Sequence, residues 1–176
     1  MLKTERVVKK HRDIRKIRKM YNGSFPDNER IPFDILMFTL SDERVMEAVY
    51  DDDMLIGMYY LFLNGDLIYL SYICVEEKER GKGYGSAILN HISENRNGKR
   101  IVLDIEEVKD DEQYDETRKR KDFYLHNGYE ETGVFYHIYG VDYELLSYGG
   151  KVSKDEWHSL ILKHWGERAN TAIYRF

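Results

Sequence analysis

The sequence holds a single cysteine, Cys74, in 176 residues. An internal disulfide is therefore excluded, and the usage suits a reducing cytoplasm. Long apolar runs are also missing. The longest apolar region, residues 54–75, is broken by Asn64-Gly65-Asp66 and reads as two strands, so no membrane partner is expected. Residues 1–20 are basic, but no apolar stretch follows them, and no signal peptide is expected. The six histidines show no H-x-x-x-H spacing and the cysteine no C-x-x-C, so no metal is expected. Net positive charge is lacking too. A formal charge of −5 argues against nucleic acid as a main partner and favours cationic small molecules or peptides. Low-complexity tracts and internal repeats are absent.

What is present is a globular composition. Hydrophobic residues make up 42% and charged residues 34%, enough for a core under a solvated surface. The length fits one domain. Residues 5–10 read as a short first strand. Ile14, Ile17 and Met20 or Tyr21 recur at helical spacing, predicting an amphipathic helix over 11–22 that ends at Asn22-Gly23. Pro32 suits the first turn of a second helix over 33–40. Strands follow over 44–50, 54–63 and 67–75. Asp51-Asp52-Asp53 forms the first turn, and Asn64-Gly65 predicts a type I′ hairpin turn. Ile88, Leu89 and Ile92 mark a third helix, closed by Gly98. Residues 100–106 alternate as a strand, 107–114 form an acidic loop, and 115–127 form a helix ending at Gly128. Residues 129–138 and 141–148 read as a hairpin through Tyr139-Gly140. Ser153 with Glu156 has capping-box spacing and opens a last helix to Trp165. The order is β-α-α-β-β-β-α-β-α-β-β-α, an α/β fold with a mixed, mostly antiparallel sheet flanked by helices.

Between the strand ending at Val75 and the third helix stands Arg80-Gly81-Lys82-Gly83-Tyr84-Gly85-Ser86. Alternate glycines let the backbone turn tightly and present its N–H groups. The helix adds its N-terminal dipole, and Arg80 and Lys82 add charge. Together these make a phosphate or pyrophosphate site. A Walker A loop is excluded, because G-x-x-x-x-G-K-[ST] does not occur. A Rossmann loop is disfavoured, since Ser86 stands where Gly or Ala belongs and the strand comes from an antiparallel meander.

The loop resembles the R/Q-x-x-G-x-G/A signature of the GNAT superfamily of N-acetyltransferases. Arg80, Gly83 and Gly85 match its three defining positions. A second resemblance follows in the expected order: Phe123-Tyr124 on a helix, then Gly128-Tyr129. The resemblance covers about residues 1–148, leaving 149–176 as a helical extension of a single domain. Two positions depart from the pattern, with Thr117 where many members carry Asn and Arg120 where they carry Ala.

The resemblance implies acetyl-CoA as co-substrate, its pyrophosphate on the amides of Gly81 to Ser86. Thr117 would contact the pantetheine arm. The amides of Ile73, Cys74 and Val75 would polarise the thioester carbonyl. Tyr124 would hydrogen-bond the CoA sulfur and act as general acid. Family members often carry a glutamate on the strand over 100–106. Period two puts Val102, Asp104 and Glu106 on one face there, so Glu106 is the first choice of base and Asp104 the second. Cys74 lies in an apolar strand with no partner base and reads as a packed small residue, not a nucleophile. Residues 118–121 read as a solvated basic helix face. Acidic clusters at 51–53 and 110–112 favour a cationic acceptor, such as a polyamine, an aminosugar or a lysine side chain. The implied activity is transfer of an acyl group from CoA to a primary amine of a small molecule or peptide, by direct attack in a ternary complex. The alternative is a CoA-binding module without transfer. The oligomeric state is open, a homodimer being one option.

Overall fold

The structure is a computed structural model that describes residues 2–27, 30–109 and 115–175. The fold is mixed α/β. The chain divides into two compact units, Met1–Leu63 with Leu70–Asn95, and Asn64–Tyr69 with Arg96–Phe176.

The first unit contains β1 (Leu2–Arg6), α1 (Ile14–Ser24), α2 (Phe33–Thr39), β2 (Arg44–Asp51), β3 (Met54–Asn64), most of β4 (Leu67–Val75) and α3 (Tyr84–Glu94). Its strands lie in the order β1-β2-β3-β4. β1–β2 and β2–β3 are antiparallel, with a bulge at Val49/Tyr50. The apolar stripe of α1 (Ile17, Met20, Tyr21) and that of α2 (Phe33, Leu36, Met37) pack into a core with Met46, Ala48, Tyr50, Met58, Tyr60, Tyr72 and Cys74. Both stripes follow the i, i+3, i+4 spacing visible in the sequence.

The first strand occupies residues 2–6, not 5–10. Leu2 faces Asp51 and Arg6 faces Glu47 in the ladder. Its residues are mostly polar, as suits an edge strand, and they hide the strand from an apolar-pattern search. The helix α1 continues through Gly23 to Ser24 and stops where Phe25 turns extended. Gly23 is exposed.

The second unit contains the first residues of β4, then β5 (Arg100–Glu106), α4 (Asp115–His126), β6 (Glu130–Ile138), β7 (Val141–Tyr148), α5 (Lys154–Trp165), a 3-10 segment Gly166–Thr171, and β8 (Ile173–Arg175). Leu67–Tyr69 pair in parallel with Arg100–Val102. The other ladders, β5–β7, β6–β7 and β6–β8, are antiparallel. At the start of α5 the Ser153 Oγ accepts from the Glu156 amide while Glu156 accepts from the Ser153 amide, so the capping box forms as expected. Arg100 clamps this helix to β5 by donating to Asp66 at 2.7 Å and to Glu156 at 2.6 Å.

Three local expectations change. The Asn64-Gly65 turn is not type I′. Only Gly65 has positive φ (60°), and the turn centres on Gly65-Asp66, while the Asn64 side chain accepts from Lys163 at 2.8 Å. By contrast Tyr139 (51°) and Gly140 (83°) both have positive φ, as a type I′ turn requires. The segment after α5 is more than a helical extension. It closes with β8, three residues too short to show a period, paired through Tyr136↔Tyr174. Lys121 is not solvated either, since its ammonium is tucked against Glu131 and the buried Glu144.

Candidate functional site

The glycine loop lies wholly in the first unit. After a single 3-10 turn (Glu77–Glu79), Gly81 and Gly83 adopt φ of 76° and 84°. A Cβ at either position would meet open space. The need for glycine there is therefore conformational, since an L side chain in the left-handed region costs roughly 1–2 kcal/mol. Gly83 is the N-cap of α3 and has no side chain to accept from the helix. The Ala87 amide bonds to Gly83 O, which leaves the amides of Tyr84, Gly85 and Ser86 without an intrahelical acceptor. Amides left free at the positive end of a helix dipole are the kind of arrangement that favours an anion.

The loop's charged side chains are exposed and bonded to neighbouring protein groups. Arg80 Nε donates to Val75 O (3.2 Å) and its Nη2 to Ser24 Oγ (3.1 Å). Lys82 pairs with Glu79 at 2.8 Å. Tyr84 Oη donates to Asp51 Oδ2 at 2.7 Å. Asp51, read from the sequence as part of an acidic cluster, is thus engaged by the loop. At the end of β4, Ile73 and Val75 are half-buried, and Cys74 is buried. Burial pushes the Cys74 thiol up to about 12, so it stays protonated and has no nucleophilic thiolate near neutral pH.

The remaining sequence-predicted residues, Asp104, Glu106, Thr117 and Tyr124, fall in the second unit. Tyr124 is 8% exposed. Its ring is held edge-on by Phe123 at 5.2 Å and by Tyr129 at 5.6 Å. Burial pushes its phenol up to about 12, with Arg120 opposing and the Asp104 carboxylate adding to the rise. The apolar face of β5, Ile101, Leu103 and Ile105, is buried as the alternation implies. Asp104 is half-buried as a residue, yet its carboxylate is desolvated, and this burial raises its pKa against the bonds from Tyr136 and Tyr69. Those phenols donate to Oδ2 and Oδ1, each at 2.8 Å. Glu106 is half-buried and accepts a long hydrogen bond of 3.4 Å from the buried Thr117. The Thr117 hydroxyl, read from the sequence as a pantetheine contact, is therefore also a neighbour of Glu106.

Sequence reasoning missed Ser24, Asp51, Tyr69 and Tyr136 as partners of these groups. No local pattern carries them, because each contact joins residues 32 or more positions apart. The acidic residues 110–112 lie outside the described residues. Among the described residues, no group of three or more His, Cys, Asp or Glu converges as a metal site. No described helix is long and apolar enough to cross a membrane.

Residues 42–131, just over half of the chain, match the family model of the acetyltransferase (GNAT) domain. Among solved structures the chain is similar to a GNAT-family protein from Bacteroides thetaiotaomicron. The TM-score is 0.77 at 19% identity, covering 93% of this chain and 98% of that one. It is similar to the ribosomal-protein-S18-alanine N-acetyltransferase from Escherichia coli, with a TM-score of 0.63 at 12% identity over 88% and 97% of the two chains. It is also similar to a GNAT family acetyltransferase from Elizabethkingia anophelis solved with acetyl-CoA bound. There the TM-score is 0.58 at 14% identity over 84% and 97%. At these identities the likeness is one of fold. A search of the curated proteins finds no significant match.

Proposed function

The chain belongs to the GNAT acetyltransferase family, and from that premise we propose that it moves an acetyl group from acetyl-CoA to a primary amine by direct attack in a ternary complex. The observation that carries the reading is the glycine loop. Gly81 and Gly83 in left-handed conformations lead into a helix whose first amides have no side-chain acceptor. In this reading the amides of Gly81 to Ser86 hold the CoA pyrophosphate, and those of Ile73 to Val75 polarise the thioester. All of residues 1–176 are read as one acyltransferase domain.

The reaction makes demands that the second unit's residues fit. A lysine-like amine has a pKa of about 10.4 and attacks only when neutral, so a base is needed. Glu106 is the better base. Both Asp104 oxygens already accept phenols, whereas Glu106 accepts one long hydrogen bond from Thr117. Asp104 then serves to hold Tyr69 and Tyr136. Tyr124 supplies a proton donor for the leaving sulfur. With its phenol near 12 and a thiol near ~8.5, complete transfer is uphill in the free enzyme. Tyr124 therefore acts first as a hydrogen-bond donor to the charge that develops on sulfur, an interaction stronger in the transition state than in the thioester.

The acceptor is read as a cationic primary amine, drawn to the half-buried carboxylate of Glu106. The location is read as a reducing cytoplasm, which the single cysteine suits. The reading is tested by calorimetric titration with CoA. Micromolar binding that vanishes in Gly83→Val supports it, and no binding to the folded wild type overturns it.

A further inference from the structure

We propose that Ser24 and Asp51, two residues outside the glycine loop, position that loop for the cofactor's pyrophosphate. The inference rests on the reading of the loop as the pyrophosphate site. Between Arg80 and Tyr84 lie Gly81, Lys82 and Gly83, and the two glycines hold left-handed φ with nothing within 4 Å of where a Cβ would stand. No packing fixes their conformation, and glycine populates many others at little cost. The shape of the loop must be imposed from its ends, and both ends are tied to residues on regular elements.

At one end Arg80 reaches Ser24, the last residue of α1, at 3.1 Å and the carbonyl of Val75 on β4 at 3.2 Å. Ser24 is half-buried at the end of α1. At the other end Tyr84 donates to Asp51 at 2.7 Å, a part-buried bond to a carboxylate. Asp51 closes β2 and is fixed in register against Leu2 of β1 and Met54 of β3. The arginine that opens the loop, Arg80, therefore spends two donors on the protein. The anion is left to backbone amides, whose aim depends on where Arg80 and Tyr84 are pinned. The Asp51 bond is part-buried, whereas those of Arg80 are exposed, so the Asp51 end is the stronger anchor.

The test is calorimetric titration of CoA into Asp51→Ala, Ser24→Ala, Tyr84→Phe and their pairs, with thermal melts alongside. Asp51→Ala and Tyr84→Phe are each expected to weaken CoA about tenfold and Ser24→Ala about threefold. The Asp51→Ala/Tyr84→Phe pair should lose less than the sum of the two single losses, because the Tyr84–Asp51 bond is removed in both. Asp51→Asn and Ser24→Thr keep an acceptor in place and should restore most of the affinity, an outcome that a general loss of stability would not give. Tyr84→Phe leaves Asp51 untouched, so the anchor is tested even where Asp51→Ala does not fold. Wild-type affinity in folded Tyr84→Phe and Ser24→Ala overturns the proposal while leaving the loop's role intact. A wild-type protein that binds no CoA overturns both.

Discussion

Replacing Gly57 with alanine adds one methyl group at the place where the first unit can least accept it. A Cβ built there would stand 2.7 Å from the backbone oxygen of Cys74 and 2.8 Å from Cδ1 of Ile88. The carbonyl belongs to β4 and cannot rotate away. Ile88 is fully buried on α3, so its side chain has no free volume to enter. An ordinary contact of about 3.4 Å would require shifts of about 0.6–0.7 Å in a packed region, and overpacking of this kind costs roughly 1–3 kcal/mol. For a chain of this length that corresponds to a fall in Tm of about 3–10 °C. Because α3 carries the amides of the loop at its N-terminus, CoA affinity should fall as well. Gly23→Ala is the matched control. Gly23 lies inside α1 with nothing within 4 Å of its Cβ position and no positive φ, so the same methyl should stabilise by about 0.5–1 kcal/mol. Thermal melts and CoA titrations of both variants form the assay. A Gly57→Ala protein that melts with the wild type would refute the claim that glycine is needed for this close approach.

Other expectations follow from the same geometry. Gly83→Val puts a β-branched residue at φ of 84°, and CoA binding should be lost while the fold persists; retained affinity in titration would count against the loop. Tyr124→Phe should lower kcat roughly 100-fold with little change in CoA affinity, as read by steady-state kinetics, and a wild-type rate would reduce Tyr124 to packing. Acid should destabilise the second unit. Hydrogen bonding to Lys109, then to His137, holds Asp142 down to about 2, and Arg100 does the same for Glu156. Their unfolded values lie near ~4, so the folded state carries fewer protons between the two values. The stability they contribute is present above about pH 5 and lost as pH falls through about 2. Melts of Asp142→Asn across pH 2–6 should therefore start lower at pH 6 and fall less steeply, and parallel curves would contradict this.

The parts of the fold legible in the sequence are those encoded by neighbours in the chain. The glycine loop, the capping box of Ser153 and Glu156, and the Tyr139-Gly140 turn each depend on a few consecutive residues, and each formed as read. The limits of β4 and β5 agreed with the reading, because bulky apolar residues cluster there between turn signals. Elements stabilised by distant partners were misplaced, as β1 was, or hidden, as β8 was. The polar β1 and the three-residue β8 exist because β2 and β6 offer them an edge. Lys121 looks like a surface lysine until the fold brings Glu144 beneath it. The site divides in the same way. The glycine loop is local and was visible, whereas the partners of Asp104 and Asp51 are phenols 35 and 33 residues away.

The most direct test of the account is incubation of the purified protein with acetyl-CoA and a panel of amines, with free CoA thiol and the mass of each amine followed together. The panel should include polyamines, aminosugars, lysine-containing peptides and free amino acids. The account predicts amine-dependent release of CoA matched by gain of one acetyl group on a cationic primary amine, with both signals depressed in Tyr124→Phe. Tight CoA binding with no acetyl transfer to any amine would contradict it.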